Sequence, residues 1–196
     1  MVKRMSARLS VMVWGGMMVF TPAASAAPHP FAPDRWELRT GYGYQYNTNE
    51  RPTHFDLVPV LPSAMWYLTD LMGPSWLRGR WSWNPELFLA TFSHPYMRPL
   101  IGATPLQFQY SLKPMGRWAP YGFLGAGVLW SHINRVETDS DVNFNLQGGL
   151  GARFSLSDRT AILAEYRHIH LSNSGLGERN SGLNTHTFLV GLSIAQ

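Results

Sequence analysis

The chain has 196 residues with 18 glycines, 14 prolines and no cysteine, and only 14% of its residues are charged, about half the share of a typical soluble domain. This length suits one domain; the lack of cysteine excludes a disulfide framework and thiolate metal ligation. The body of the chain offers no run of about 20 apolar residues from which to build a membrane-spanning helix.

At the start of the chain, Lys3, Arg4 and Arg8 precede an apolar stretch from Leu9 to Phe20, and Ala24 and Ala26 form an Ala-x-Ala site. That order of charge, apolar core and small residues predicts a secretory signal over residues 1–26, cleaved to leave a domain over 27–196. The signal carries three cations and no acids, so the mature chain has 13 basic and 12 acidic groups. Most of the +4 net charge thus leaves with the signal, and with it the electrostatic motive for binding nucleic acid.

From Trp36 onward the alternation has period two, broken at Gly, Pro, Asn and Asp clusters. It predicts eight strands near 36–46, 54–68, 79–92, 100–112, 119–132, 143–156, 160–172 and 185–195. The first sets Trp36, Leu38, Tyr42 and Tyr44 against Glu37, Arg39 and Gln45. The fourth sets Leu106, Phe108, Tyr110 and Leu112 against Gln107, Gln109 and Ser111. The sixth sets Phe144, Leu146, Leu150, Ala152 and Phe154 against Asn143, Asn145, Gln147, Arg153 and Ser155.

Strands of about ten residues suit a tilted crossing of a bilayer, whereas about five or six suffice in a soluble sheet. Trp66, Trp81, Trp83, Tyr96, Trp118, Tyr121 and Trp130 fall near predicted strand ends, the places where interfacial girdles form. Period alone does not say which face is inside. A soluble sandwich or lipocalin turns its apolar face inward, and a membrane barrel turns it to lipid. Strand length, even strand count and scarce charge favour an all-β, eight-stranded antiparallel transmembrane barrel. Both chain ends are then periplasmic, with a short turn at 157–159 and long outer loops at 133–142 and 173–184; the link at 69–78 is long for a periplasmic turn. An eight-stranded barrel fills its lumen with side chains, so transport is not implied.

The chemistry concentrates in the seventh predicted strand. Ionised groups avoid lipid, so Glu165 and Arg167 assign their face to the lumen, and Tyr166, His168, His170 and Ser172 fall on the outer face. His170 and Ser172, two apart, point the same way, and a serine beside a general base is the minimum for nucleophilic ester cleavage. Alone, His-x-Ser is also what an interfacial histidine next to a loop-capping serine looks like. Imidazole near lipid is costly and usually functional. His168 and His186 share the outer parity. His29, His54, His94 and His132 show no metal-ligand spacing, and no metal or cofactor is expected. Glu137-Thr-Asp-Ser-Asp141 reads as a solvated outer loop, and Arg98, Arg135 and Arg179 are placed to meet lipid phosphates.

The run His170-Leu-Ser-Asn-Ser-Gly-Leu-Gly-Glu-Arg-Asn-Ser-Gly-Leu-Asn184, followed by a final strand, resembles the C-terminal signature of the lipid A 3-O-deacylase family, over roughly residues 164–194. The resemblance implies an outer-membrane serine esterase that removes the ester-linked 3-hydroxyacyl chain at position 3 of lipid A in the outer leaflet. It needs no obligate protein partner. It implies Ser172 as nucleophile, His170 as base, and Asn173 with the backbone N–H of Gly175 as oxyanion donors. Where the family's best-known members carry a glutamate, an ungapped register puts Asn184 here; Glu178 is the other candidate for the third position. The alternative is a non-catalytic eight-stranded barrel with a structural or adhesive role.

Overall fold

The computed structural model describes residues 31–46, 55–94, 97–133 and 137–196. The expected signal, Tyr96 and Arg135 lie outside them. The chain divides into Met1–Ala32 and Pro33–Gln196, and the second unit carries all the strands described.

The strands are β1 (Arg35–Gln45), β2 (Asp56–Tyr67), β3 (Gly79–Trp83), β4 (Glu86–His94), β5 (Arg98–Leu112), β6 (Trp118–Trp130), β7 (Val142–Ser155), β8 (Thr160–Ser172) and β9 (Leu183–Ala195). Each pairs antiparallel with its neighbours, and β1 pairs with both β2 and β9, so the sheet closes on itself. β3 and β4 lie end to end between β2 and β5 and act as one stave, making an eight-stave barrel. Closure removes the free edge that would otherwise expose unpaired backbone groups, which is the condition for a sheet to sit in lipid.

The third predicted strand is therefore broken. Pro85 has no N–H to give to a ladder. The neighbouring Asn84 N–H donates to the Gln107 carbonyl at 2.8 Å. Opposite the break, the β5–β6 register slips between Ala103 and Leu106, Pro105 and Leu106 both face outward, and the Trp83 indole N–H donates to the Pro105 carbonyl at 2.8 Å. The register with β2 runs through the break unchanged, so the extra residue belongs to β5, where it lets Thr104 and Gln107 both face inward.

Polarity is apolar-out. Leu124 and Leu150 are 74% and 70% exposed, and Val60, Leu87, Ile101, Leu146, Val190 and Leu192 share that exposed belt. Charge lies inside. Arg39 bonds to Glu37 and to Glu165 (3.1 Å), Arg153 to Glu37 (2.6 Å), and Arg167 to both Glu86 and Glu165 (2.6 Å each), all buried. This is the membrane-barrel polarity, and it excludes the soluble alternative, whose apolar face points inward. Trp81, Trp83, Trp118 and Trp130 are outward at strand ends, as expected of a girdle. Tyr121 is not: it is buried in the lumen, where its hydroxyl donates to Glu165 at 2.8 Å.

The lumen is layered. Above the charge network, Phe55, Leu57, Phe88, Phe92, Leu100, Leu129, Ile169, Leu171 and Leu183 pack into one apolar cluster. This cluster lies toward the end that carries the connections 46–55, 95–97, 131–141 and 173–182. The opposite end carries the turns 113–117 and 156–159 and the longer link 68–78, which folds back through paired backbone bonds between Met72 and Gly79.

Candidate active site

β8 alternates strictly, with Leu163, Glu165, Arg167, Ile169 and Leu171 buried and Ile162, Ala164 and Tyr166 exposed. His168, His170 and Ser172 continue the outward row and are half-buried. β8 and β9 pair without a slip, so His170 lies opposite Asn184 and His168 opposite His186. The His170 Nδ1 and Asn184 Oδ1 are 2.8 Å apart. The amide oxygen can only accept, so Nδ1 carries the proton and the ring's free lone pair is on Nε2. That tautomer is the one a general base needs.

Ser172 is on the same row, about 6.6 Å further along at two residues of strand rise. Its hydroxyl makes no hydrogen bond to the described residues, His170 included; such contacts are often loose in unliganded sites and tighten with substrate. Glu178 is exposed in the loop after β8 and makes no bond to His170. Of the two candidates for the third position, only Asn184 touches the imidazole.

The loop places the oxyanion candidates differently from the sequence expectation. Asn173 is fully buried. Its side-chain amide donates to the Arg179 carbonyl at 2.9 Å and to Asp139 at 3.3 Å, and its Oδ1 accepts the Gly175 N–H at 2.9 Å. Both expected donors are thus already engaged, the Asn173 amide partly by the neighbouring connection. Asp139, on the β6–β7 connection, also accepts the Arg179 backbone N–H at 3.1 Å and its Nε at 3.5 Å. Arg179 is therefore tied to a carboxylate, whereas Arg98 is exposed at the start of β5. Gly177 is required here because a Cβ would lie 1.9 Å from the Asp139 Oδ1.

Gly182, which pattern reading passes over, lies against the imidazole. Its φ is +76°, and a Cβ there would lie 2.8 Å from the His170 Cε1. Any side chain would both strain the backbone and push the ring away from Asn184. The Ser-Gly-Leu-Asn stretch ending at Asn184 was the available signal: a glycine two residues before the partner of a histidine.

Across β9 and β1 the outward face is also polar. The Tyr166 hydroxyl and the His186 Nδ1 are 2.6 Å apart, and Tyr46 and the His168 Nδ1 are 3.2 Å apart. Tyr46 stacks on His186 with centroids at 3.9 Å.

The family model described as "Lipid A 3-O-deacylase (PagL)" matches residues 63–193, which include His170, Ser172, Asn173, Gly182 and Asn184. The chain belongs to the lipid A 3-O-deacylase family. Among solved structures it is similar to the outer membrane enzyme PagL, at 17% identity with a TM-score of 0.57, covering 80% of this chain and 97% of that one. It is also similar to Neisserial surface protein A (NspA), at 10% identity with a TM-score of 0.53, covering 83% and 96%. At these identities the two structures establish the fold, an outer-membrane β-barrel. Comparison with curated proteins gives no match.

Proposed function

We propose that this barrel is a serine esterase that removes the ester-linked 3-hydroxyacyl chain at position 3 of lipid A, with Ser172 as nucleophile, His170 as base and Asn184 as the residue that orients it. The observation that carries the reading is the Asn184–His170 hydrogen bond on the lipid-facing wall, one strand step from Ser172. A non-catalytic barrel has no use for a correctly protonated imidazole there, where polar groups are costly.

The His170 Nε2 takes the proton from the Ser172 Oγ as that oxygen attacks the ester carbonyl, and returns it to the departing sugar hydroxyl. Water then cleaves the acyl-serine by the same route and releases a 3-hydroxy fatty acid. Asn184 holds the ring but adds no negative charge to steady the imidazolium, so turnover is slower than with a carboxylate in that position. For the Asn173 amide to serve the oxyanion, one of its hydrogens must first leave Asp139 or the Arg179 carbonyl.

In this reading the long connections face outward, bringing Ser172 to the outer leaflet, and residues 1–26 direct export and are removed. The test is mass spectrometry of lipid A from cells making the wild type or Ser172→Ala. Loss of one ester-linked hydroxyacyl chain only with the wild type supports the reading; unmodified lipid A in both counts against it. N-terminal sequencing of the membrane form beginning at Ala27 supports cleavage of the signal.

A further inference from the structure

An ester hydrolysed on a lipid-facing wall raises a supply problem, because the second half-reaction consumes water where hydrocarbon excludes it. The outward faces on the two sides of β8 differ in this respect. On the β7 side, Leu146 and Leu150 face outward, exposed and apolar. On the β9 side, the row directly below His170–Asn184 is His168–His186, with ring centroids 6.0 Å apart. The phenol of Tyr46 reaches this row from just past the end of β1 and that of Tyr166 from the row below. Each imidazole meets a phenol through Nδ1, and neither Nε2 has a partner among the described residues.

The patch lies on the membrane-interior side of Ser172, whereas a sugar headgroup lies on the loop side, so the headgroup does not account for it. Hydrocarbon gains nothing from polar groups. Water bound to two or more such groups is stable even in an apolar setting.

We infer that Tyr46, Tyr166, His168 and His186 form a wetted notch that holds the hydrolytic water beside His170. The inference rests on Ser172 acting as the nucleophile. From this notch a water molecule gives one proton to the His170 Nε2 and its oxygen to the acyl carbonyl. Collapse of the intermediate breaks the bond to the Ser172 Oγ, which recovers that proton, and a carboxylic acid leaves. The four residues are positioning residues: they act on the water and leave acyl transfer to Ser172 unaffected.

The test follows a p-nitrophenyl ester of a ten-carbon acid with full-length barrels in detergent, comparing the wild type with His168→Phe/His186→Phe. The expected result is a first turnover within about twofold of wild type, a steady-state rate about tenfold lower, and an acyl adduct on Ser172 in the intact mass. Hydroxylamine, a stronger nucleophile than water, restores the rate. Equal changes in both phases, or no change in either, overturn the inference. Heat-modifiable gel mobility reports folding. Should the double variant lose it, Tyr46→Phe/Tyr166→Phe, which keeps the ring packing, decides by the same two-phase criterion at an expected loss of about threefold. Absence of labelling of wild-type Ser172 by a fluorophosphonate is a different result: it removes the nucleophile itself and with it the esterase reading.

Discussion

Successive residues of β8 build two polar systems that obey opposite rules. On the luminal face, Glu165 and Arg167 are buried in a lattice with Glu37, Arg39, Glu86 and Arg153, three acids against three bases, each held by short bonds. On the outer face, His168, His170 and Ser172 are half-buried and each keeps hydrogen-bonding capacity in reserve. Mutual pairing holds the inner set in place; the outer set keeps donors and acceptors open. The difference teaches that the cost of polar groups in this barrel is met inside by pairing and, on the esterase reading, outside by use.

The largest effect expected is on the outer face. Ser172→Ala lowers ester turnover by at least about 10³-fold while leaving heat-modifiable mobility unchanged. The matching luminal change, Arg167→Met, removes the cation that bridges Glu86 and Glu165, leaving Glu165 to Arg39 and Tyr121 and Glu86 to Gln147, and destabilises the barrel by about 3 kcal/mol, read from urea equilibrium refolding in lipid vesicles. Its folded fraction keeps wild-type turnover per molecule, and a proportional loss of both would erase the division between the faces.

Asn184→Ala frees the His170 ring and lowers kcat by about 10- to 100-fold with little change in KM; Asn184→Asp keeps the bond, adds charge and turns over faster than the alanine variant. Gly182→Ala crowds the same ring from the loop, with a loss of about 1 kcal/mol in stability and a several-fold fall in kcat. Glu178→Gln, changing an exposed side chain that makes no bond to the ring, stays within about twofold of wild type. A larger loss there would return Glu178 to the third position.

Much of this was legible because a strand side chain has only two directions to point. Once Glu165 and Arg167 had fixed the lumen, His170, Ser172 and Asn184 were on one wall by parity. The break at Asn84–Pro85 was not legible, since Ser82, Asn84, Glu86 and Phe88 keep the inward parity across it and leave no mark on the pattern. Tyr121 sits near a strand end, as a girdle residue does, but its parity with Ala119 and Phe123 faces the lumen. The role of Asn173 could not be read because its partner, Asp139, lies 34 residues away on another hairpin, and period-two reasoning does not reach between loops.

The apolar layer above the charge lattice has a consequence for passage through the barrel. Phe55, Phe92, Leu100, Leu129 and Leu183 fill the lumen toward the end of the long connections with side chains that bind no ions, and beneath them the guanidinium groups and carboxylates are paired with one another. A solute entering from that end meets hydrocarbon before it meets charge, so this cylinder is plugged by its own side chains in the manner of small barrels.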